Sequence, residues 1–188
     1  MRDNDPNEGQ YQKLSSFTVP EGFRGRSGAY VAIWWFIQAT VFRWSPQPLY
    51  AFRAALLRMF GARVGIGVKI RQSARFTYPW KIEVGDNVWI GDRAELYSLE
   101  HIVIEKDVCI SQGAYICTGS HDYRDVQFSY MCRSILIKEQ SWIGADVFVC
   151  PGTTVGIGCV VTARSLVKGR LEKGFIYSGA PASIIRQR

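Results

Sequence analysis

His121 is the residue in this chain best suited to do chemistry. An imidazole can take a proton from a hydroxyl near neutral pH. It stands in CTGSHDYRD, a stretch that breaks an otherwise regular pattern, so a substrate could reach it. Asp122 and Asp125 are close by. Either could orient the imidazole or contact a substrate hydroxyl, and either could be solvated loop charge. The other histidine, His101, precedes an apolar run in SLEHIVIE and reads as structural or surface. Two histidines so spaced make no metal site, and no CxxC pair adds one. Cys109, Cys117, Cys132, Cys150 and Cys159 are odd in number and form no framework, which fits a reducing compartment.

The elements that must hold His121 show themselves in a six-residue rhythm from Val64 to Val167. Its longest block is Ile137, Ile143, Val149, Val155, Val161 and Val167. Three shorter blocks precede it: Val64, Ile70, Phe76; Val84, Ile90, Leu96; and Ile104, Ile110, Ile116. That period fits neither a helix nor a flat amphipathic strand. It fits an all-β solenoid, a parallel β-helix of hexapeptides. Three hexapeptides close one triangular coil, and the β-branched residue points at the axis. The residue four positions on also nears the axis and must be small. Val88, Ala94, Val108, Ala114, Ser141, Val147, Thr153, Cys159 and Ser165 meet this demand. Gly85, Gly91 and Gly144 follow the apolar residue, where a bend leaves little room.

Val64, Val84, Ile104, Ile137 and Val155 each start a coil, which gives about five coils. Residues 118–134 do not fit and leave as a protruding loop that carries His121. Trp142, in SWIGAD, flanks an inward residue, so its ring points outward. It either covers a neighbouring subunit or lines a cleft. Trp89, in NVWIGD, holds the equivalent place two coils earlier. A rod this thin favours side-by-side association, with a cyclic homotrimer the expected form.

Four segments follow: an arm over residues 1–27, polar and expected to be flexible; helices over 28–63; the β-helix over 64–167; and a tail over 168–188, ending in a short helix. The stretch GAYVAIWWFIQATVF is too short to span a bilayer, which takes about 20 residues. It packs on the solenoid or a neighbouring subunit. The alternative is a helix lying in a membrane interface, which Trp34, Trp35, Trp44 and Arg43 would suit. PLYAFRAALLRMF then places Leu49, Phe52, Ala55, Leu56, Met59 and Phe60 on one apolar stripe, with Arg53 and Arg58 away from most of it. This helix is expected to cap the first coil. In the tail, Ile184 and Ile185 are expected to fold back. The formal charge is +7, but no dense basic face carries interleaved aromatics, so no nucleic-acid partner is expected. The basic clusters at 164–173 and 186–188 suit a phosphate-bearing cofactor or anionic headgroups.

TYPWKIEVGDNVWIGDRAELY, ISQGAYICTGSHDYRD and SWIGADVFVCPGTTVGIGCVVTARSLV resemble the left-handed β-helix O-acetyltransferases of exopolysaccharide synthesis, colanic acid acetyltransferases in particular. The lead-in SPQPLYAFRAALLRMFGARVG and the ending YSGAPASIIRQR resemble the same group. The likeness runs from about Arg43 to the end. It implies a left-handed coil, acetyl-CoA as acyl donor, and a sugar or glycosyl-lipid acceptor worked on in the cytoplasm; the apolar segment 28–42 would suit peripheral membrane contact there, or a neighbouring subunit. His121 would be the general base in direct transfer through a ternary complex, with Asp122 beside it. The backbone N–H of Ala145 would meet the oxyanion, and Trp142 would flank the pantetheine. Gly144, Thr162, Ala163 and Arg164 would contact the cofactor, and Lys168, Arg170 and Arg186 its phosphates. Ala180 stands where asparagine is frequent in this group, which touches only the cofactor's edge. An amino-sugar N-acetyltransferase and a non-catalytic solenoid scaffold are the alternatives. A γ-class carbonic anhydrase, which shares the fold, needs three histidines on zinc and is excluded.

Overall fold

The computed structural model describes residues 10–188 of the chain. Residues 64–167 wind into a left-handed parallel β-helix of five complete coils with three faces. Face A stacks Val64, Val84, Ile104, Ile137 and Val155 in register. Face B stacks Ile70, Ile90, Ile110, Ile143 and Val161. Face C stacks Phe76, Leu96, Ile116, Val149 and Val167. The six-residue rhythm is thus the register itself. Each strand of the coils has only two or three residues, so every hexapeptide sets its large apolar residue inward and then turns. All nine small positions named from the sequence are buried in the axis. A Cβ on Gly85 would lie 2.6 Å from the Lys106 backbone nitrogen of the next coil. Glycine is needed there because neighbouring coils touch through their backbones.

Helix α1 (Gly28–Ile37) runs into a π-helical turn over Gln38–Phe42. Ser27 caps it by accepting from the Tyr30 N–H. Val31, Trp34 and Phe42 are buried, and α1 packs beside face C of the first coil. Two bonds hold it there. The Trp34 indole N–H donates to the Phe76 carbonyl at 2.8 Å, and the Phe76 N–H donates to Gln38 Oε1 at 2.6 Å. These are the groups that the open edge of face C would otherwise leave without partners. Trp34→Phe keeps an aromatic ring but removes the indole N–H, which strands a buried carbonyl. A loss of about 1–3 kcal/mol of stability is expected, read as a lower urea midpoint.

Helix α2 (Tyr50–Met59) caps the first coil, but not with the expected face. Leu56 and Phe60 are buried as the stripe requires, together with Ala54 and Leu57. Leu49, Phe52 and Met59 point to solvent instead. Arg53, expected outward, is fully buried. Its guanidinium donates to the carbonyls of Ile70, Pro46 and Gln47 and to Ser45 Oγ, at 2.6 to 2.9 Å. Hydrogen bonding overrides apolarity here. The start of a solenoid exposes carbonyls, and an arginine fork satisfies several at once. Arg58 does the same outside, donating to the Val64 and Gly65 carbonyls.

The tail also departs from expectation. Residues Phe175–Gly179 and Ala182–Gln187 form an antiparallel hairpin where a short helix was expected. Ile176 and Tyr177 pair in parallel with Val160 and Val161 and begin a sixth rung on face B. The last coil presents an open strand edge, and another strand satisfies it where a helix cannot. Ile184 and Ile185 remain exposed on the outer strand.

Candidate active site

Residues 118–134 leave the solenoid between faces C and A as a two-legged loop. Ser120 and Met131 exchange backbone bonds, and Arg133 N–H donates to the Thr118 carbonyl. His121 and Tyr130 pair across the legs. The tip turns back through Phe128, whose positive φ brings its carbonyl inward. His121 Nδ1 lies 2.5 Å from that carbonyl oxygen. A carbonyl can only accept, so Nδ1 carries the hydrogen. In the neutral ring Nε2 is then the bare nitrogen, which is the tautomer a general base needs.

Aromatic rings fix the imidazole plane. The Phe128 ring stacks on it at 4.1 Å between centroids, and Tyr130 leans on it at 4.8 Å. Phe17 meets it edge-on at 5.6 Å. Phe17 belongs to the N-terminal arm, which binds the loop through the Lys13 N–H and the Val126 carbonyl at 2.8 Å. Phe23 stacks on Tyr130 at 4.5 Å. From Lys13 onward the arm is therefore built onto the loop, while its residues 1–9 lie outside the described residues. No spacing in the sequence points to Phe17 or Phe23. Tyr130 could have been found by pairing the legs of the loop.

Asp122 does not turn toward the imidazole. Its carboxylate accepts from the Arg124 guanidinium and from the Arg124 N–H, which hold it below the usual carboxylate range. Asp125 is likewise lowered, first by the Ser129 side chain and then by the Gln127 and Ser129 N–H groups, from which it accepts. Both aspartates shape the loop tip. His101 is a surface residue beside Glu100.

Gly144, Ala145, Thr162, Ala163 and Arg164 gather at a different corner, between faces B and C, next to Trp142 of face B. Corner residues stack there coil upon coil. Gly113 N–H donates to the Asp92 carbonyl, Asp146 N–H to Gln112, and Arg164 N–H to Ala145, all at 2.8 to 3.0 Å. Between these bonds the N–H groups of Gln112, Ala145 and Ala163 have no backbone partner among the described residues. They make a row of open donors along one edge of the prism. A Cβ on Gly144 would sit 2.6 Å from the Val161 carbonyl, so only glycine lets the coils approach here. Trp142 projects outward, as its position requires, and its indole donates to Ser111 Oγ at 2.9 Å. The Thr162 hydroxyl donates to Ser178 Oγ of the hairpin at 2.7 Å.

The basic residues divide. Arg164 stays at the B–C corner, facing Asp146 at 3.9 Å. Lys168 and Arg170 come after face C, and Arg170 bridges to Thr154 of face A. Arg186 lies on the outer strand of the hairpin opposite Ile176. Within one chain the structure does not bring these cations together. It also parts His121 from Ala145. The width of face C, about three strand residues at about 3.3 Å each, lies between their corners.

Lower on the B–C corner is an open cleft of about 780 Å³ lined by Trp44, Arg71, Ser73, Asp92, Arg93 and Gln112. Burial pushes the Asp92 carboxyl up, but bonds from Ser73 and Arg71 outweigh it and hold the group ionised and low.

No family model matches the chain. Among individual proteins, it is 50% identical over 177 residues to the "Putative colanic acid biosynthesis acetyltransferase WcaF" of Escherichia coli, covering 94% of this chain and 97% of that one. A maltose O-acetyltransferase from Clostridium difficile has the same fold, with a TM-score of 0.80 at 22% identity over 91% of this chain and 90% of that one. So does a hexapeptide-repeat acetyltransferase from Vibrio cholerae solved with acetyl coenzyme A, with a TM-score of 0.77 at 24% identity over 87% and 91%. With its six-residue register, its histidine loop and half its residues shared over nearly the whole length, the chain belongs to the hexapeptide-repeat acetyltransferases, in the branch that holds WcaF.

Proposed function

We propose that this enzyme transfers an acetyl group from acetyl-CoA to a sugar hydroxyl in surface polysaccharide synthesis. The observation that carries the reading is the His121 imidazole, with Nδ1–H tied to the Phe128 carbonyl and Nε2 free. Nε2 takes the proton of the acceptor hydroxyl as that oxygen attacks the thioester carbonyl. The new C–O bond forms and the C–S bond breaks. The proton passes from His121 to the departing thiolate, so an ester and free CoA result. The Ala145 N–H, open in the row described above, donates to the oxygen that gains charge. Trp142 and Gly144 flank the pantetheine, and Thr162, Ala163 and Arg164 continue the contact. Lys168, Arg170 and Arg186 are the phosphate candidates, with Arg164 the best placed of the cations. Asp122 acts by shaping the loop.

The separation of His121 from Ala145 favours a homotrimer in which the loop of one subunit reaches the B–C corner of the next. The open cleft lower on that corner, which offers a carboxylate, guanidinium groups and an amide beside the Trp44 ring, suits a sugar acceptor. The same reading places the enzyme on the cytoplasmic side of a membrane, where a lipid-linked acceptor would lie.

Thiol release from acetyl-CoA across sugars, nucleotide sugars and repeat units tests the chemistry. Acceptor-dependent release supports it. Absence of both release and acetyl-CoA binding by calorimetry would sink it. Subunit sharing has its own test. Co-expressed His121→Ala and Trp142→Ala chains should regain activity that neither has alone, at about a quarter of the sites by random mixing. No regain in mixed trimers would place the site within one chain.

A further inference from the structure

Helix α1 turns apolar residues outward as well as inward. Opposite buried Val31 and Trp34, one face carries Ala29, Ala32, Ile33 and Phe36, the spacing of a single helical stripe. Ile33 is 55% exposed and Phe36 is 65% exposed. Just past the π-helical turn, Trp44 is 82% exposed. A helix apolar all round is ordinarily covered on every side. Among the described residues nothing covers this face, and no helix is long and apolar enough to cross a membrane.

Charge indicates what does cover it. Residues 22–82 contain eight arginines and two lysines and no aspartate or glutamate, a net +10 against +7 for the whole chain. Part of this is neutralised internally, since Arg63, Arg71 and Arg75 pair with Glu83, Asp92 and Glu95. Arg53 and Lys81 bond interior carbonyls. Arg58 bonds the Val64 and Gly65 carbonyls and Lys69 lies over the Trp89 ring of face B, which leaves Arg24, Arg26 and Arg43, the cations that flank α1 in the chain, with no carboxylate partner among the described residues. Two-fold pairing of this face would set Arg24, Arg26 and Arg43 against their own kind, and the oligomeric mass measured below tests a contact with any other face. An anionic lipid surface matches both the charge and the stripe.

We propose that α1 and Trp44 lie on an anionic bilayer, with Ile33 and Phe36 at the acyl boundary and Trp44 and Arg43 among the headgroups. This rests on the membrane-side reading above but not on the transfer chemistry, so the two can fail separately.

The test is flotation of the full chain with vesicles of phosphatidylglycerol and phosphatidylcholine, beside vesicles of phosphatidylcholine alone. Wild type should float with the anionic vesicles and be released by raising salt to about 0.5 M. Ile33→Ser/Phe36→Ser should float at least about tenfold less. That variant should keep its melting temperature and its thiol release with a soluble acceptor, because neither side chain packs in the core. Wild type that ignores anionic vesicles, or floats equally on neutral ones, overturns the proposal. So does a double variant that floats like wild type. A double variant that changes oligomeric mass while flotation stays the same would assign the face to a protein contact and also overturn it.

Discussion

His121→Ala is expected to cut turnover by about 10²- to 10⁴-fold while leaving the fold and acetyl-CoA binding intact. The loop is closed by backbone bonds at Ser120, Met131, Thr118 and Arg133, none of which involves the imidazole. The loss should therefore be chemical. Thiol release with saturating acceptor gives the rate, and calorimetry gives donor affinity. The nearest carboxylates cannot substitute, since Asp122 is held by Arg124 and Asp125 by the Gln127 and Ser129 N–H groups. Both carboxyls are lowered below their ordinary values and are poor bases near neutrality. A folded alanine variant turning over within about threefold of wild type would remove His121 from the mechanism.

Arg53→Ala should be the most damaging change outside the site, at about 3 kcal/mol or more, because several buried acceptors lose their donors together. The guanidinium serves the Ile70, Pro46 and Gln47 carbonyls and the Ser45 hydroxyl, which alanine would leave short of donors in a buried place. A domain is stable by only about 5–15 kcal/mol, so this removes much of the margin. The urea midpoint should fall with the slope unchanged, measured at fixed protein concentration. Arg53→Lys should recover part of the loss, because an ammonium donates but cannot span four acceptors. A midpoint shift worth under about 1 kcal/mol in Arg53→Ala would show that water replaces the fork.

The coil was legible because its rule is local and repeated. One inward residue every six positions, with a small one four further on, leaves little freedom, and Val64 to Val167 stack as that rule requires. The loop was legible as the place where the rule stops. The two ends were harder to read. There the repeat has no neighbour, and whatever satisfies the open edges decides the structure. An arginine did so at α2, against the apolar stripe, and a hairpin did so at the tail, against the expected helix.

The sequence by itself determined the solenoid, the register, the outward Trp142 and the isolation of His121, because a short period ties each residue to its place on the prism. Tertiary structure alone decided what surrounds the base. The Phe128 carbonyl that sets the tautomer, the Phe17 ring from an arm a hundred residues away, and the turning of Asp122 toward Arg124 all follow from how a non-repeating loop closes on itself. Contacts between segments far apart in the chain leave no period to read, and only the folded chain brings them together.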